Sequence, residues 1–149
     1  IFPRSQKNGY FGDLNRTVVR GRATDKLKEI YATVQAGQQI GFDTIRDGVN
    51  GRDVHLKILD LFAARGFPTG RINGRMQGFF HGTGHGLGLD IHEPPRIAPV
   101  EATLRTGHVV TVEPGLYYLG VGGVRLEDVV LVTEKGNRNL TDCPQFLEI

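Results

Sequence analysis

The sequence VVTVEPGLYYLGVGGVRLEDVVLVT, at residues 109–133, contains two runs rich in β-branched residues that are separated by LGVGG. Runs of this kind, joined through glycine, predict strands over Val109–Tyr118 and Val121–Thr133. The short glycine-containing connection predicts that the two strands pair as an antiparallel hairpin. A β-sheet is therefore expected in the C-terminal part of the chain.

Each run of this hairpin places one glutamate, Glu113 or Glu127, among apolar neighbours. Asp13 is a similar acid in GYFGDLNRTVVR, residues 9–20, which is interpreted as a strand entered from a turn. A charged carboxylate buried without a partner costs several kcal/mol. A salt bridge to Arg125 could satisfy one of these acids, but Arg125 cannot neutralise all three. The remaining acids need another source of positive charge.

The segment HGTGHGLGLDIHEPP, at residues 81–95, contains three of the five histidines of the chain. Its glycines disfavour a helix, but in an extended segment His81 and His85 still point to the same face. His92 lies an odd number of residues beyond His85, so it joins the same cleft only if the chain bends near Leu89–Asp90. The prolines in and after this segment predict that it lacks regular secondary structure.

Three carboxylates and a histidine cluster in one small chain point to a divalent-metal site. Oxygen-rich ligation with one imidazole suits hard or borderline cations such as Mn²⁺, Co²⁺ or Zn²⁺. The competing interpretation is that the histidines are ordinary surface or core residues. We apply that structural interpretation to His55 and His108.

Two helices are predicted between the first strand and the histidine segment. Thr24 caps a helix that extends to about Arg46, and Asn50 caps a second helix that ends at Arg65–Gly66. One strand, two helices and then several strands indicate an α+β fold rather than a Rossmann-type alternation.

Composition narrows the class of protein. The chain has 149 residues, 39% of them apolar and 23% charged, which is typical of one globular domain. Its net charge is only +2, with both signs interspersed, so we expect no nucleic-acid partner. The apolar runs are far shorter than the ~20 residues that span a bilayer, so we expect no membrane partner. The single cysteine, Cys143, favours a reducing, cytoplasmic location.

Five motifs in a fixed order resemble those of the dinuclear metallopeptidases of the pita-bread fold, which include methionine aminopeptidases, proline aminopeptidases and prolidases. They are Y-x-G-D (10–13), H-G-x-G-H-G-x-G (81–88), H-E-x-P (92–95), V-E-P-G (112–115) and G-V-R-x-E-D (123–128). The resemblance implies a curved antiparallel sheet with helices on its outer face. It also implies that residues 1–149 form a single, partial catalytic domain that is incomplete at its N-terminus.

The metal ligands implied by this resemblance are Asp13, His85, Glu113 and Glu127. Asp13 and Glu127 would bridge two divalent ions, and His85 and Glu113 would complete one site. The family has a fifth ligand, an aspartate upstream of Asp13, but residues 1–12 contain no acidic side chain. We therefore expect this chain to be the C-terminal part of a peptidase, weakly active or inactive alone.

The resemblance also implies the chemistry, which is peptide hydrolysis by a hydroxide that bridges the two ions. Glu113 would take the proton of the nucleophile and pass it towards the leaving amine. His92, together with His81, would bind the substrate and stabilise the intermediate. Arg125 and Asn15 would lie beside the ligands, and Asn15 stands where the family usually has a threonine.

The substrate class follows from two positions. His81, four residues before His85, and Arg125, two residues before Glu127, resemble the Xaa-Pro aminopeptidase and prolidase branch. This implies peptides with proline at the second position as substrates, and a homodimer as the assembly. The alternatives are specificity of the methionine aminopeptidase type, and an inactive family member that binds protein or RNA. A metal-free enzyme of the creatinase type is disfavoured by the intact carboxylates.

Overall fold

A computed structural model describes the whole chain, from Ile1 to Ile149. Helix α1 spans Asp25–Thr44 and helix α2 spans Gly51–Ala64. The Thr24 and Asn50 side chains accept hydrogen bonds from backbone N–H groups in the first turn of α1 and α2, respectively. Both predicted helices are therefore confirmed, with their caps.

Nine strands follow the helices. They are β1 (Gly70–Ile72), β2 (Arg75–Gln77), β3 (Gly84–Gly86), β4 (Glu93–Ile97), β5 (Val109–Val112), β6 (Gly115–Tyr118), β7 (Gly122–Arg125), β8 (Asp128–Val132) and β9 (Asn137–Asn139). Five of them form an antiparallel sheet in the order β4-β3-β5-β8-β9, while β1 pairs with β2 and β6 with β7. The α+β prediction is confirmed.

The predicted hairpin is present, but it is interrupted in the middle. The β5–β8 and β6–β7 ladders keep one register on both sides of the interruption. Glu113 and Glu127 therefore lie opposite each other in the gap between the two ladders. Pro114 has no N–H to donate, which is one reason why the ladder stops there.

The prediction that residues 81–95 lack regular structure is wrong, because β3 and the start of β4 lie in this segment. Strand β4 contains Pro94 and Pro95, which cannot donate to a ladder. It is the edge strand of the five-stranded sheet, so only one of its sides needs to pair. The prolines are tolerated for that reason.

The predicted strand over residues 9–20 is also wrong. The segment forms only isolated bridges, which join Phe11 to Arg4, Asn15 to Glu127 and Val19 to Glu148. Three different parts of the chain supply these partners, so no continuous ladder forms. The bridge at Asn15 nevertheless brings the segment that carries Asp13 beside Glu127.

The apolar core lies between the two helices and one face of the sheet. Val110, Val112, Val130 and Val132 are fully buried on that face. Gly41 allows α1 to approach closely, because a Cβ there would lie 2.6 Å from Val112 Cγ1. Side chains alternate along a strand, so the acids of the hairpin gap lie on the opposite face. Neither helix has the length and apolarity that crossing a bilayer requires.

Candidate metal centre

Four side chains that are far apart in the sequence converge on the face of the sheet that the helices leave free. Asp13, His85 and Glu127 each offer a ligand atom within 4.8 Å of the other two. His85 Nε2 lies 3.2 Å from Glu113 Oε1 and 3.9 Å from Asp13 Oδ2. The structure therefore brings together all four residues that the resemblance implied as ligands.

The backbone of β3 and its neighbours orients His85. The His85 N–H donates to Thr111 Oγ1 at 3.0 Å. The Nδ1 atom lies 3.1 Å from the Gly86 carbonyl, which can only accept, so Nδ1 carries a proton in both the neutral and the charged form of the ring. Nε2 is then left facing the carboxylates as a potential ligand atom.

The three carboxylates of the cluster have no lysine or arginine as an ion-pair partner. Burial and the negative charges of Glu113 and Asp13 raise the pKa of Glu127 to about 8, while Arg125 and His85 oppose this only in part. The ion pairs of Asp13 and Glu113 involve only His85, and no lysine or arginine pairs with any of the three acids. Such an oxygen-rich set with one imidazole fits divalent cations.

Two effects compete at His85. Burial lowers the pKa of His85, but its hydrogen bonds to Glu113 and to the Gly86 carbonyl, with the charges of Glu113 and Asp13, outweigh burial. The net result is a raised pKa. The excess negative charge of the cluster thus stabilises the protonated, positively charged imidazole, and it would stabilise a bound cation in the same way.

His92 lies beside the cluster, as the predicted bend requires. The Gly88 N–H donates to the Asp90 carbonyl at 3.0 Å, which turns the chain at the expected position. The ring centroid of His92 is 4.4 Å from that of His85. His92 is exposed, so a ligand at the cluster can reach it.

His81 lies outside the group of ligand atoms and next to it. Its Nδ1 is 2.8 Å from the Gly82 carbonyl, and its Nε2 is 2.9 Å from the Tyr117 hydroxyl. Burial lowers the pKa of His81, although the Gly82 carbonyl and Glu113 act in the opposite direction. The charge of Glu113 acts against burial in setting the pKa of both His81 and His85.

Asn15 and Arg125 lie beside the proposed ligands and offer no ligand atom of their own. Asn15 exchanges two backbone hydrogen bonds with Glu127, at 3.0 and 3.4 Å. Arg125 Nε is buried without a hydrogen-bond partner. The Arg125 charge lowers the pKa of Glu127 without forming an ion pair to it.

The sequence reasoning missed the part played by Tyr117 and Thr111. Tyr117 binds His81, and the Thr111 hydroxyl donates to Glu113 Oε1 at 3.3 Å. Both residues are separated from Glu113 by an even number of positions in an extended run. The same alternation that placed Glu113 on one face could therefore have identified them.

Comparisons with known proteins identify the family to which the chain is related. Residues 4–134 match the family model described as "Metallopeptidase family M24". The uncharacterized peptidase YqhT of Bacillus subtilis is 42% identical over 144 residues, which are 95% of this chain and 38% of that protein. The Xaa-Pro dipeptidase of Pyrococcus furiosus is 37% identical over 94% of this chain and 38% of its own length.

Solved structures of enzymes with related names have a similar fold. The Xaa-Pro dipeptidase from Bacillus anthracis superposes with a TM-score of 0.85 at 41% identity, over 95% of this chain and 38% of that one. The X-Pro aminopeptidase from Thermotoga maritima has a TM-score of 0.85 at 31% identity, with the same coverage. The predicted pita-bread fold is thereby confirmed. The chain spans about two fifths of the length of the relatives it matches.

Proposed function

The chain belongs to metallopeptidase family M24, and we propose that it carries catalytic residues of an enzyme that hydrolyses peptide bonds on the N-terminal side of proline. The observation that carries this proposal is the convergence of Asp13, His85 and Glu127 within 4.8 Å, with Glu113 against His85. The names of the Xaa-Pro dipeptidase relatives support the substrate class. Residues 1–149 would form part of one catalytic domain.

Asp13, His85, Glu113 and Glu127 would hold two divalent cations, for which Mn²⁺, Co²⁺ and Zn²⁺ are all suitable. When bound, such cations supply an activated water and polarise the scissile carbonyl. The carboxylates also balance the charge of the cations, since no lysine or arginine pairs with them.

Glu113 is the candidate general base. It is half-buried, and its Oε1 atom lies within reach of both His85 Nε2 and the Thr111 hydroxyl. Its backbone N–H donates to the Thr83 carbonyl at 2.7 Å, which fixes the carboxylate in the hairpin gap. In this position Glu113 can accept a proton from the attacking water and deliver it to the leaving amine.

The two histidines beside the cluster would act on the substrate in different ways. His92 is exposed, so its imidazole can bind the oxygen on which negative charge develops. Both ring nitrogens of His81 are already engaged, by Gly82 and Tyr117. His81 therefore offers the face of its ring for packing against the peptide.

The cytoplasmic location, a homodimer and the lack of nucleic-acid or membrane partners stay predictions. An inactive binding protein and specificity of the methionine aminopeptidase type remain the competing proposals.

Metal analysis and peptide cleavage with the natural protein that contains this chain test the proposal. We expect about two equivalents of metal per chain and cleavage of Xaa-Pro peptides. His81→Ala should keep the metal and lower turnover by about a hundredfold, because substrate packing is lost and the ligands are not. Asp25→Asn, at the exposed start of α1, is the control and should change neither quantity.

The other outcomes contradict specific parts of the proposal. Absence of metal, or metal without hydrolysis of any peptide, would favour the inactive binding protein. Cleavage after an N-terminal methionine without any dependence on proline would assign the methionine-type specificity. Loss of metal in the His81 variant would make His81 a ligand.

A further inference from the structure

Arg16 uses all five of its guanidinium N–H donors inside the protein. Its acceptors are Asp128 Oδ1 at 2.6 Å and the backbone carbonyls of Asn15, Glu127, Cys143 and Pro144 at 2.8 to 3.2 Å. The Asp128 side chain is only 2% exposed. The Arg16 side chain is 12% exposed, so this arginine and its carboxylate form a largely buried and fully hydrogen-bonded ion pair.

Two glutamines complete this buried ion pair. Asp128 Oδ2 accepts from Gln38 of α1 at 3.1 Å and from Gln145 at 3.3 Å. The Gln38 amide also donates to the Val112 carbonyl at 3.1 Å, and Gln145 donates to Gln38 Oε1 at 2.7 Å. We call Arg16, Gln38, Asp128 and Gln145 the Arg16 cluster.

Every contact of the Arg16 cluster with the sheet falls next to a proposed ligand. Val112 immediately precedes Glu113, and Asp128 immediately follows Glu127. Side chains alternate along a strand, so the Arg16 cluster lies on the helix side of the sheet and the ligands lie on the other side. The Arg16 cluster therefore binds, from the helix side, the same stretch of backbone that carries the proposed ligands on the opposite side.

Asp13 depends most on this arrangement, because its segment belongs to no ladder. One nitrogen of Arg16, Nη1, donates both to the Asn15 carbonyl at 2.9 Å and to the Glu127 carbonyl at 2.8 Å. Arg16 therefore clamps the segment that carries Asp13 onto the strand that carries Glu127. The isolated bridge between Asn15 and Glu127 is a second link, and the Thr17 hydroxyl, which accepts from the Arg125 N–H and donates to the Arg125 carbonyl, is a third.

We propose that the Arg16 cluster is a positioning device that sets the separations of Asp13, Glu113 and Glu127 for metal binding. This inference rests on the proposed metal centre. Three carboxylates at this spacing repel one another, so without a cation they separate unless the backbone is held. A buried ion pair adds little net stability compared with apolar residues, so its main effect here is on geometry.

Asp128→Asn tests the proposal, because it keeps the size of the side chain and removes the charge that binds Arg16. Co²⁺ is the probe, titrated into the natural protein against a chelating competitor, and its visible absorption reports the coordination geometry. We expect the dissociation constant for Co²⁺ to rise about tenfold or more, and the absorption spectrum to change. A role in stability alone would not change the spectrum.

Ile58→Val is the matched control, because it removes one buried methyl group from the core side of α2, a helix that supplies none of the proposed ligands. It should leave Co²⁺ affinity and spectrum unchanged.

Wild-type binding and spectrum in Asp128→Asn would overturn the inference, as would equal weakening of Co²⁺ binding in Ile58→Val. If Asp128→Asn does not fold, Gln38→Met carries the test with the same two measurements. If the unsubstituted protein does not bind Co²⁺, the proposed metal centre is wrong, and the positioning role falls with it. If the unsubstituted protein binds Co²⁺ and the variants behave like it, only the positioning role is wrong.

Discussion

At the scale of single residues, His55 shows how burial controls an imidazole. Its Nδ1 lies 3.0 Å from the Thr83 hydroxyl, and its ring centroid is 5.1 Å from that of Phe79. Burial, reinforced by the charge of His81, lowers the pKa of His55 to about 4. His55 is therefore neutral in the folded protein at neutral pH.

The lowered pKa predicts a loss of stability in acid. The unfolded chain has the ordinary histidine pKa near 6.5, so between pH 6.5 and about 4 it binds the His55 proton more readily than the folded chain does. The stabilising contribution of neutral His55 is complete above pH 6.5 and is lost as pH falls towards 4. We expect a loss of about 2 kcal/mol, measured as the free energy of unfolding in urea at pH 7 and pH 4.5.

His55→Gln should remove this part of the pH dependence, whereas His108→Gln, in a half-exposed position, should keep it. The difference between each variant and the unsubstituted protein is the quantity to compare, because His85 and Glu127 also titrate. An unchanged pH dependence in His55→Gln would contradict the assignment.

At the scale of secondary structure, the glycines of β3 are explained by strand packing. A Cβ at Gly84 would collide with the Thr111 carbonyl of β5, and one at Gly86 would collide with the Pro94 carbonyl of β4. Only glycine lets the two neighbouring strands approach β3 this closely. In the structure the space at these two positions is taken by the neighbouring strands.

Gly84→Ala should therefore destabilise the protein by about 2–4 kcal/mol, because backbone on both sides prevents relaxation. Gly70→Ala is the matched control, since no atom lies within 4 Å of a Cβ at Gly70 in β1. It should change the free energy of unfolding by about 0.5 kcal/mol or less. Similar losses in both variants, measured by urea denaturation, would show that crowding at Thr111 is unimportant.

At the scale of the whole molecule, the candidate metal centre links three regions that are distant in sequence. Asp13 comes from an irregular N-terminal segment, His85 from β3 and Glu127 from the gap in the hairpin. The unfolded chain cannot hold these groups together. Folding assembles the site against the repulsion of its own carboxylates.

Metal should therefore stabilise the folded state by mass action. A hundredfold excess of Mn²⁺ over its dissociation constant is expected to add about 2.7 kcal/mol, seen as a higher melting temperature that a chelator reverses. Glu127→Gln should abolish the response. Without metal, this variant should be at least as stable as the unsubstituted protein, because the neutral amide avoids the cost of burying the Glu127 carboxyl beside Glu113 and Asp13, which raises its pKa. A melting temperature that Mn²⁺ does not change would contradict the metal centre.

Several parts of the fold could be predicted from local sequence. Thr24 and Asn50 specify the helix starts through hydrogen bonds to N–H groups within three residues. The hairpin at residues 109–133 follows from β-branched runs on either side of a short glycine turn. The residue types at Asp13, His85, Glu113 and Glu127 indicated a cation, because each is a ligand type placed among apolar or glycine-rich neighbours.

The remaining features depend on contacts between residues that are far apart in the chain. Local propensity suggested a strand around Asp13, but a ladder needs one continuous neighbour, and the fold supplies only isolated bridges. The prolines of β4 are compatible with a strand only because the sheet order puts β4 at an edge. Arg16 and Asp128 are separated by 112 positions, so nothing in the neighbourhood of either residue reveals their pairing. Sequence patterns identify the groups that can bind a metal, but only the packing of distant segments brings those groups to one point.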